Sequence, residues 1–164
     1  MTVCAEGKAS LFGAIERGEM KLNAAGGAVV EAWKGISERF SGVELDSFVV
    51  MPNHFHGVIF ILSDGIARNN DAKSNSNDPD EGAASSARTK DRARRPALGK
   101  IMRSFKSISA IRINEILGRK GQPVWQRNYF ERIVRRGKDL GDVRRYIAEN
   151  PERWMDDQEN GTQK

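Results

Sequence analysis

The 164 residues contain only two histidines, and both lie in one tripeptide, His54-Phe55-His56. On a β-strand alternate side chains share a face, so the two imidazoles stand side by side while Phe55 points to the opposite face. Two neutral imidazoles at that spacing are a bidentate start to a divalent-metal site. The same tripeptide also describes two solvent-facing histidines at the start of a strand. The Met-Pro-Asn turn before it and the GVIFI run after it favour a site. Tyr146 and Asn150 are four residues apart in a helical pattern, so they project from one face, a turn apart. They offer a phenol and an amide oxygen to whatever lies opposite. Read alone, they equally describe a half-buried core tyrosine and a C-terminal cap before Pro151.

Other chemistries fit poorly. A Ser-His-Asp site would have to take its base from the histidine pair, and no serine lies in a nucleophile-elbow context. There is no GxxxxGK[ST] phosphate loop, and Gly26-Gly27 falls inside a helical pattern without a dinucleotide fingerprint. The single cysteine, Cys4, excludes an internal disulfide and a cysteine-rich zinc site; it reads as a small strand residue in a reducing, cytoplasmic protein.

The elements that must position these residues are legible from periodicity. Residues 2–5 read as a short strand, Leu11–Ile15 as the start of a connecting element and Glu19–Leu22 as a short extended piece. From Ala24, Val29, Val30, Trp33, Ile36 and Phe40 recur at three and four residues, a helix closed by Gly42. Glu44–Met51 and His54–Leu62 are β-branched and aromatic runs joined at Pro52-Asn53, an antiparallel hairpin. Leu98–Leu117 is a helix with a stripe of Ile101, Phe105, Ile108, Ile111, Ile113 and Ile116. Tyr129–Arg135 reads as a strand, and a last helix runs from Asp139 to Asn150, ended by Pro151. The order β-α-β-β-α-β-α is that of an α+β, ferredoxin-like antiparallel sheet with helices on one face. Residues 64–98 stand apart: they hold no aromatic residue and only Ile66 and Leu98 as large apolar side chains, so they read as a disordered insertion.

Charge is unevenly placed. Residues 1–63 carry 5 basic and 7 acidic side chains, whereas residues 99–164 carry 15 and 9. The net excess of +5 therefore sits almost wholly in the last third. Such clustering suits a polyanion, nucleic acid above all, through counterion release. It equally describes a solvated helical face laced with ion pairs. No apolar run reaches the length of a membrane span, and the first residues lack the order of a signal peptide.

Taken together, MPNHFHGVI, SFKS at Ser104–Ser107, VWQRNYFERIVR at Val124–Arg135 and YIAENPERW at Tyr146–Trp154 resemble the single-tyrosine HUH transposases. The resemblance is to the REP-associated tyrosine transposases and their insertion-sequence relatives, and it runs through most of residues 9–155. It implies an HUH endonuclease fold split into residues 1–63 and 99–155, with the insertion between and a flexible tail over 156–164. It also implies a first strand longer than the one this chain supplies after Met1. By that resemblance His54 and His56 are metal ligands, Asn150 is the third ligand, Tyr146 is the nucleophile, and the ion is Mg²⁺ or Mn²⁺. Arg132 stands where the family often carries a histidine.

The implied partner is single-stranded DNA, flanked by hairpins, acted on by a monomer or homodimer. Lys106, Arg127, Arg135, Arg136, Arg144 and Arg145 become candidates for phosphate contacts, and Trp125 for stacking on an unpaired base. Two functional classes follow. One is a metal-dependent DNA strand transferase working through a 5′-phosphotyrosine. The other is a non-catalytic module, or an inactive relic, that binds structured single strands through its basic face. A replication or relaxation nuclease of the HUH class fits less well, because the chain has no room for a helicase-like partner domain.

Overall fold

The computed structural model describes residues 1–62, 97–135, 137–157 and 159–160. The expected disordered insertion falls almost wholly outside them. The central element is a three-stranded antiparallel sheet made of β1 (Thr2–Cys4), β4 (Val43–Val50) and β5 (His54–Ile61), in the order β1-β5-β4. A separate hairpin, β2 (Gly13–Glu16) and β3 (Glu19–Leu22), precedes helices α1 (Ala24–Lys34) and α2 (Ile36–Arg39). Helices α3 (Leu98–Ile116) and α4 (Lys138–Glu149) follow in the second half. The fold is a small α+β domain.

Period-two alternation on β5 divides the sheet into two faces. Phe55 points to one face, where its ring centroid lies 4.7 Å from that of Trp33 on α1 and 5.1 Å from that of Phe105 on α3. Val3, Val29, Ile101, Met102 and Ile113 complete this core without solvent exposure. Gly57 faces it too. A Cβ there would lie 2.8 Å from the Trp33 ring and 2.7 Å from the Phe55 ring, so glycine is what lets the indole lie flat against the sheet. The opposite face carries His54 and His56 on β5, with Thr2 paired to His56 and Cys4 paired to His54 on β1.

Several expectations need correction. The long helix from Ala24 breaks at Gly35 into α1 and α2, because glycine is the weakest helix former after proline. On α3 the buried stripe is Ile101, Met102, Phe105, Ser109 and Ile113, whereas Ile111 and Ile116 are exposed. The strand expected over Tyr129–Arg135 is reduced to one isolated bridge, Thr2 with Phe130, and a second bridge joins Ala5 to Trp125 ahead of it. Even so, residues 124–130 run along the free edge of β1. Val124 and Phe130 carbonyls accept from Glu6 and Thr2, and the Gln126 and Phe130 amides donate to Cys4 and Thr2. Nor do the helices share one face. α1 and α3 cover the Phe55 face, while α4 packs against β4 on the histidine face, where Tyr146 meets His56.

What holds α4 there is limited. Ile147 is the only residue within the helix that is buried. The second anchor is polar: the Arg144 guanidinium donates from two nitrogens to both carboxylate oxygens of Asp46. Asp46 lies in the irregular stretch of β4 between Leu45 and Phe48. The bulge turns this carboxylate out of the ladder and toward the helix, as bulges commonly re-aim a side chain.

A candidate metal centre beside Tyr146

Both imidazoles are buried, His54 completely and His56 at 6% exposure. Their Nε2 atoms face one another at 3.0 Å. Asn53 decides what His54 presents there. Its amide nitrogen donates to the carbonyls of Lys8 and Glu159, at 3.2 and 2.7 Å, so its Oδ1 is the atom 2.8 Å from His54 Nδ1. An amide oxygen only accepts, so Nδ1 carries the proton and Nε2 is left with a bare lone pair. His56 Nδ1 lies 2.8 Å from Thr2 Oγ1, a hydroxyl able to accept its proton in the same way. Burial lowers the pKa of both rings, that of His56 to about 3. They are therefore neutral at physiological pH, the form that binds metals.

A third candidate ligand comes from beyond the last helix. Asp157 is buried, and its Oδ2 lies 3.8 Å from His54 Nε2. One ligand atom from each of His54, His56 and Asp157 falls within 4.8 Å of the others. The carboxylate is held by the Glu159 amide, which donates to Oδ1 at 2.7 Å, while Oδ2 has no hydrogen-bond partner. Asn150, also buried, has its Oδ1 unpartnered. Buried acceptors without donors are costly and rare. Two of them beside two converging lone pairs, with no cationic side chain among the described residues paired to the carboxylate oxygen that faces His54, fit a divalent cation. Nitrogens 3.0 Å apart are also close enough to share one ion at metal–nitrogen distances of about 2.1 Å.

Tyr146 stands at the rim. Its ring centroid lies 5.3 Å from that of His56, and the side chain is half exposed. Burial and then the Asp157 carboxylate push the phenol above its ordinary pKa, while the Asn150 side chain pulls the other way. Asn150 also favours the charged form of His54, so its side chain lies near both groups while its Oδ1 keeps no hydrogen-bond partner among the described residues. Ionising this phenol requires a positive charge nearby. Tyr129 is elsewhere: its hydroxyl lies 4.0 Å from where a Cβ on Gly99 would be, at the start of α3.

The remaining expected contacts divide. Trp125 is buried at 6% exposure, its indole donating to Ser109 Oγ and packing against Phe12 and Phe105, so it belongs to the core and offers no stacking surface. The Lys106 ammonium is spent on the carbonyls of Gln126 and Arg127, tying α3 to the β1-flanking segment. Arg144 is committed to Asp46, and Arg145 lies 3.6 Å from Asp142. Arg127 and Arg135 are exposed. Arg136 lies outside the described residues. Cys4 is a strand residue whose thiol donates to Glu159 and is pushed up to about 12 by burial.

In the segment expected to form a flexible tail over 156–164, Asp157 and Glu159 are part of the site. Trp154 lies against His54, Asp157 faces the histidines, and Glu159 holds both Asn53 and Lys8. Asp157, Asn53 and Thr2 were missed from sequence. The signal for Asn53 was its place directly before the histidine pair; Asp157, beyond Pro151, had none.

Across 161 aligned residues the chain is 37% identical to an uncharacterized protein of Haemophilus influenzae, a match that covers 96% of this chain and 82% of that protein. The chain belongs to the family of that H. influenzae protein. No family model matches the chain. No solved structure matches it. Among the described residues no helix is long and apolar enough to cross a membrane.

Proposed function

We propose that this chain cuts and rejoins single-stranded DNA through a covalent tyrosine intermediate, as its resemblance to single-tyrosine HUH transposases implies. The observation that carries this reading is the seating of Tyr146 over His56, with Asn150 one turn further along α4 turned to the same histidine pair. The sheet supports it. Counting the 124–130 segment as a fourth strand, the order across the sheet is fourth, first, third, second, all antiparallel, which suits a ferredoxin-like plan.

His54, His56 and Asp157, with Asn150 beside them, would hold Mg²⁺ or Mn²⁺; both accept imidazole, carboxylate and amide-oxygen donors. When bound, the ion supplies positive charge that stabilises the developing charge on the scissile phosphate. The chain's own residues do the rest. Asn53 and Thr2 fix the histidine tautomers, and Asp46 with Arg144 anchors the helix that carries the nucleophile. Tyr146 Oη loses its proton and attacks phosphorus. The bond from phosphorus to the 3′ oxygen breaks, and that oxygen leaves as a 3′-hydroxyl after taking up a proton. Tyr146 stays joined to the 5′-phosphate until a 3′-hydroxyl attacks, restoring a phosphodiester and releasing the phenol. Because one ester replaces another, no nucleotide hydrolysis is needed. Arg127, Arg132 and Arg135, all exposed, are left to contact phosphates.

The test is a denaturing gel of labelled hairpin DNA with single-stranded flanks, incubated in Mn²⁺ with wild type, His54→Ala and His56→Ala. A covalent adduct formed by wild type, removed by chelator and absent from both variants, is the expected result. Tight binding of hairpins with no adduct in Mn²⁺ or Mg²⁺ would leave a DNA-binding module.

A further inference from the structure

Tyr146 and His56 open onto a cavity of about 430 Å³, most of whose remaining walls the chemistry above does not use. Its most conspicuous wall is Phe130, an aromatic ring that is 66% exposed. Its backbone is fixed in the sheet. The Phe130 amide and carbonyl both pair with Thr2, at 2.9 and 2.8 Å, and Thr2 in turn pairs with His56. Directly opposed residues of antiparallel strands share a face. Phe130, Thr2 and His56 therefore form a row across the histidine face, with Tyr146 over its far end. Phe130 is thus two strand spacings, of about 4.8 Å each, from His56. That is the reach of one nucleotide from its phosphate to its base.

An exposed aromatic whose backbone is paired across the sheet lines the same cavity as a candidate nucleophile, in a chain whose other stacking candidate, Trp125, is buried. The rest of the lining is informative. Val143 and Ile147 form an apolar floor, and Asp139 and Asp142 contribute carboxylates, that of Asp142 with one oxygen 3.6 Å from the Arg145 guanidinium. Carboxylates repel phosphate and accept hydrogen bonds from the exocyclic amines of bases. Arg132, on the same wall as Phe130, supplies the opposite charge.

Resting on the strand-transfer reading, we infer that this cavity is a base pocket. An unpaired nucleotide next to the scissile phosphate enters base first, stacks on Phe130 and presents an amino-bearing edge to Asp139 and Asp142. Adenine, cytosine or guanine is accepted there, and thymine, which lacks an exocyclic amine, is disfavoured.

The test uses Tyr146→Phe protein, which binds without cutting, and hairpin DNA with single-stranded flanks in which 2-aminopurine occupies each flank position in turn. Leaving the stack of its neighbouring bases for Phe130 changes the emission of this fluorophore, so a several-fold change is expected at one position. The change disappears in Phe130→Ala and Phe130→Leu, which truncate an exposed side chain and leave the far-ultraviolet spectrum unchanged. At the same position, thymine competes at least about tenfold less well than adenine, and Asp139→Ala/Asp142→Ala removes the difference. An emission change at no position, or one that survives both Phe130 variants, overturns the pocket. Adduct formation by otherwise wild-type protein is scored separately. A Phe130-dependent emission change without any adduct would sink the strand-transfer reading and leave the base pocket standing, whereas an adduct without that change would do the reverse.

Discussion

Asn53 Oδ1 accepts the Nδ1 proton of His54 at 2.8 Å, and this contact decides which nitrogen His54 offers to the site. The acceptor is itself held, because the Asn53 amide nitrogen is occupied by two backbone carbonyls. A residue that looks like turn punctuation thereby fixes the tautomer of a buried candidate ligand.

Replacing Asn53 with alanine should therefore weaken metal binding without touching a ligand. The expected loss in Mn²⁺ affinity is about 10- to 100-fold, the usual effect of removing a partner that orients a ligating histidine. Isothermal titration of wild type and variant measures it. Unchanged affinity in a folded Asn53→Ala protein would show that His54 needs no such partner.

Asp157→Asn should separate two effects of one carboxylate. In the metal-free protein a buried acceptor with no partner and no paired cation is removed, so thermal stability is expected to hold or rise. With metal present the order reverses. A ligand at 100 times its dissociation constant stabilises by about 2.7 kcal/mol, and the variant should lose most of that gain. Melting curves with and without Mn²⁺ give both numbers. Equal metal-induced shifts in the two proteins would remove Asp157 from the ligand set.

The pair between Asp46 and Arg144 predicts an acid-sensitive helix. Hydrogen bonds from Arg144 lower the Asp46 pKa well below the usual carboxylate range. A carboxylate depressed in the folded state adds stability above its unfolded pKa, near 3.9, and loses it as pH falls through the folded value. Docking of α4 should accordingly loosen below about pH 4 in wild type, whereas Asp46→Asn is loosened at every pH, by about 0.5–1 kcal/mol. The buried neutral histidines act over a different window. Their folded pKa values are lowered, so their contribution declines as pH falls below about 6.5. Amide exchange read over residues 138–149 isolates the helix from the histidines.

How much of this was legible in the sequence follows from which features are local. The histidine pair and the reversal of Phe55 are consequences of strand periodicity, and they appear in the structure as expected. So does the spacing of Tyr146 and Asn150, which a helix imposes. Trp125 illustrates the opposite case. In an irregular segment no period tells inside from outside, and only the approach of α3 and Phe12 decides that the indole is buried. The face occupied by α4 could not be read either, since a helix with one buried residue is placed by a distant carboxylate in a bulge. Asp157 follows a proline and belongs to no repeating pattern. Its role depends on the chain folding back across the histidines, and no spacing encodes that.

The central claim is that Tyr146, and not the other tyrosine, becomes covalently joined to DNA. It is tested most directly by incubating labelled hairpin DNA and Mn²⁺ with wild type, Tyr146→Phe and Tyr129→Phe, then mapping the modified peptide by mass spectrometry. The account predicts an adduct on the peptide containing Tyr146, retained in Tyr129→Phe and lost in Tyr146→Phe. An adduct that persists in Tyr146→Phe, or that maps to Tyr129, would contradict it.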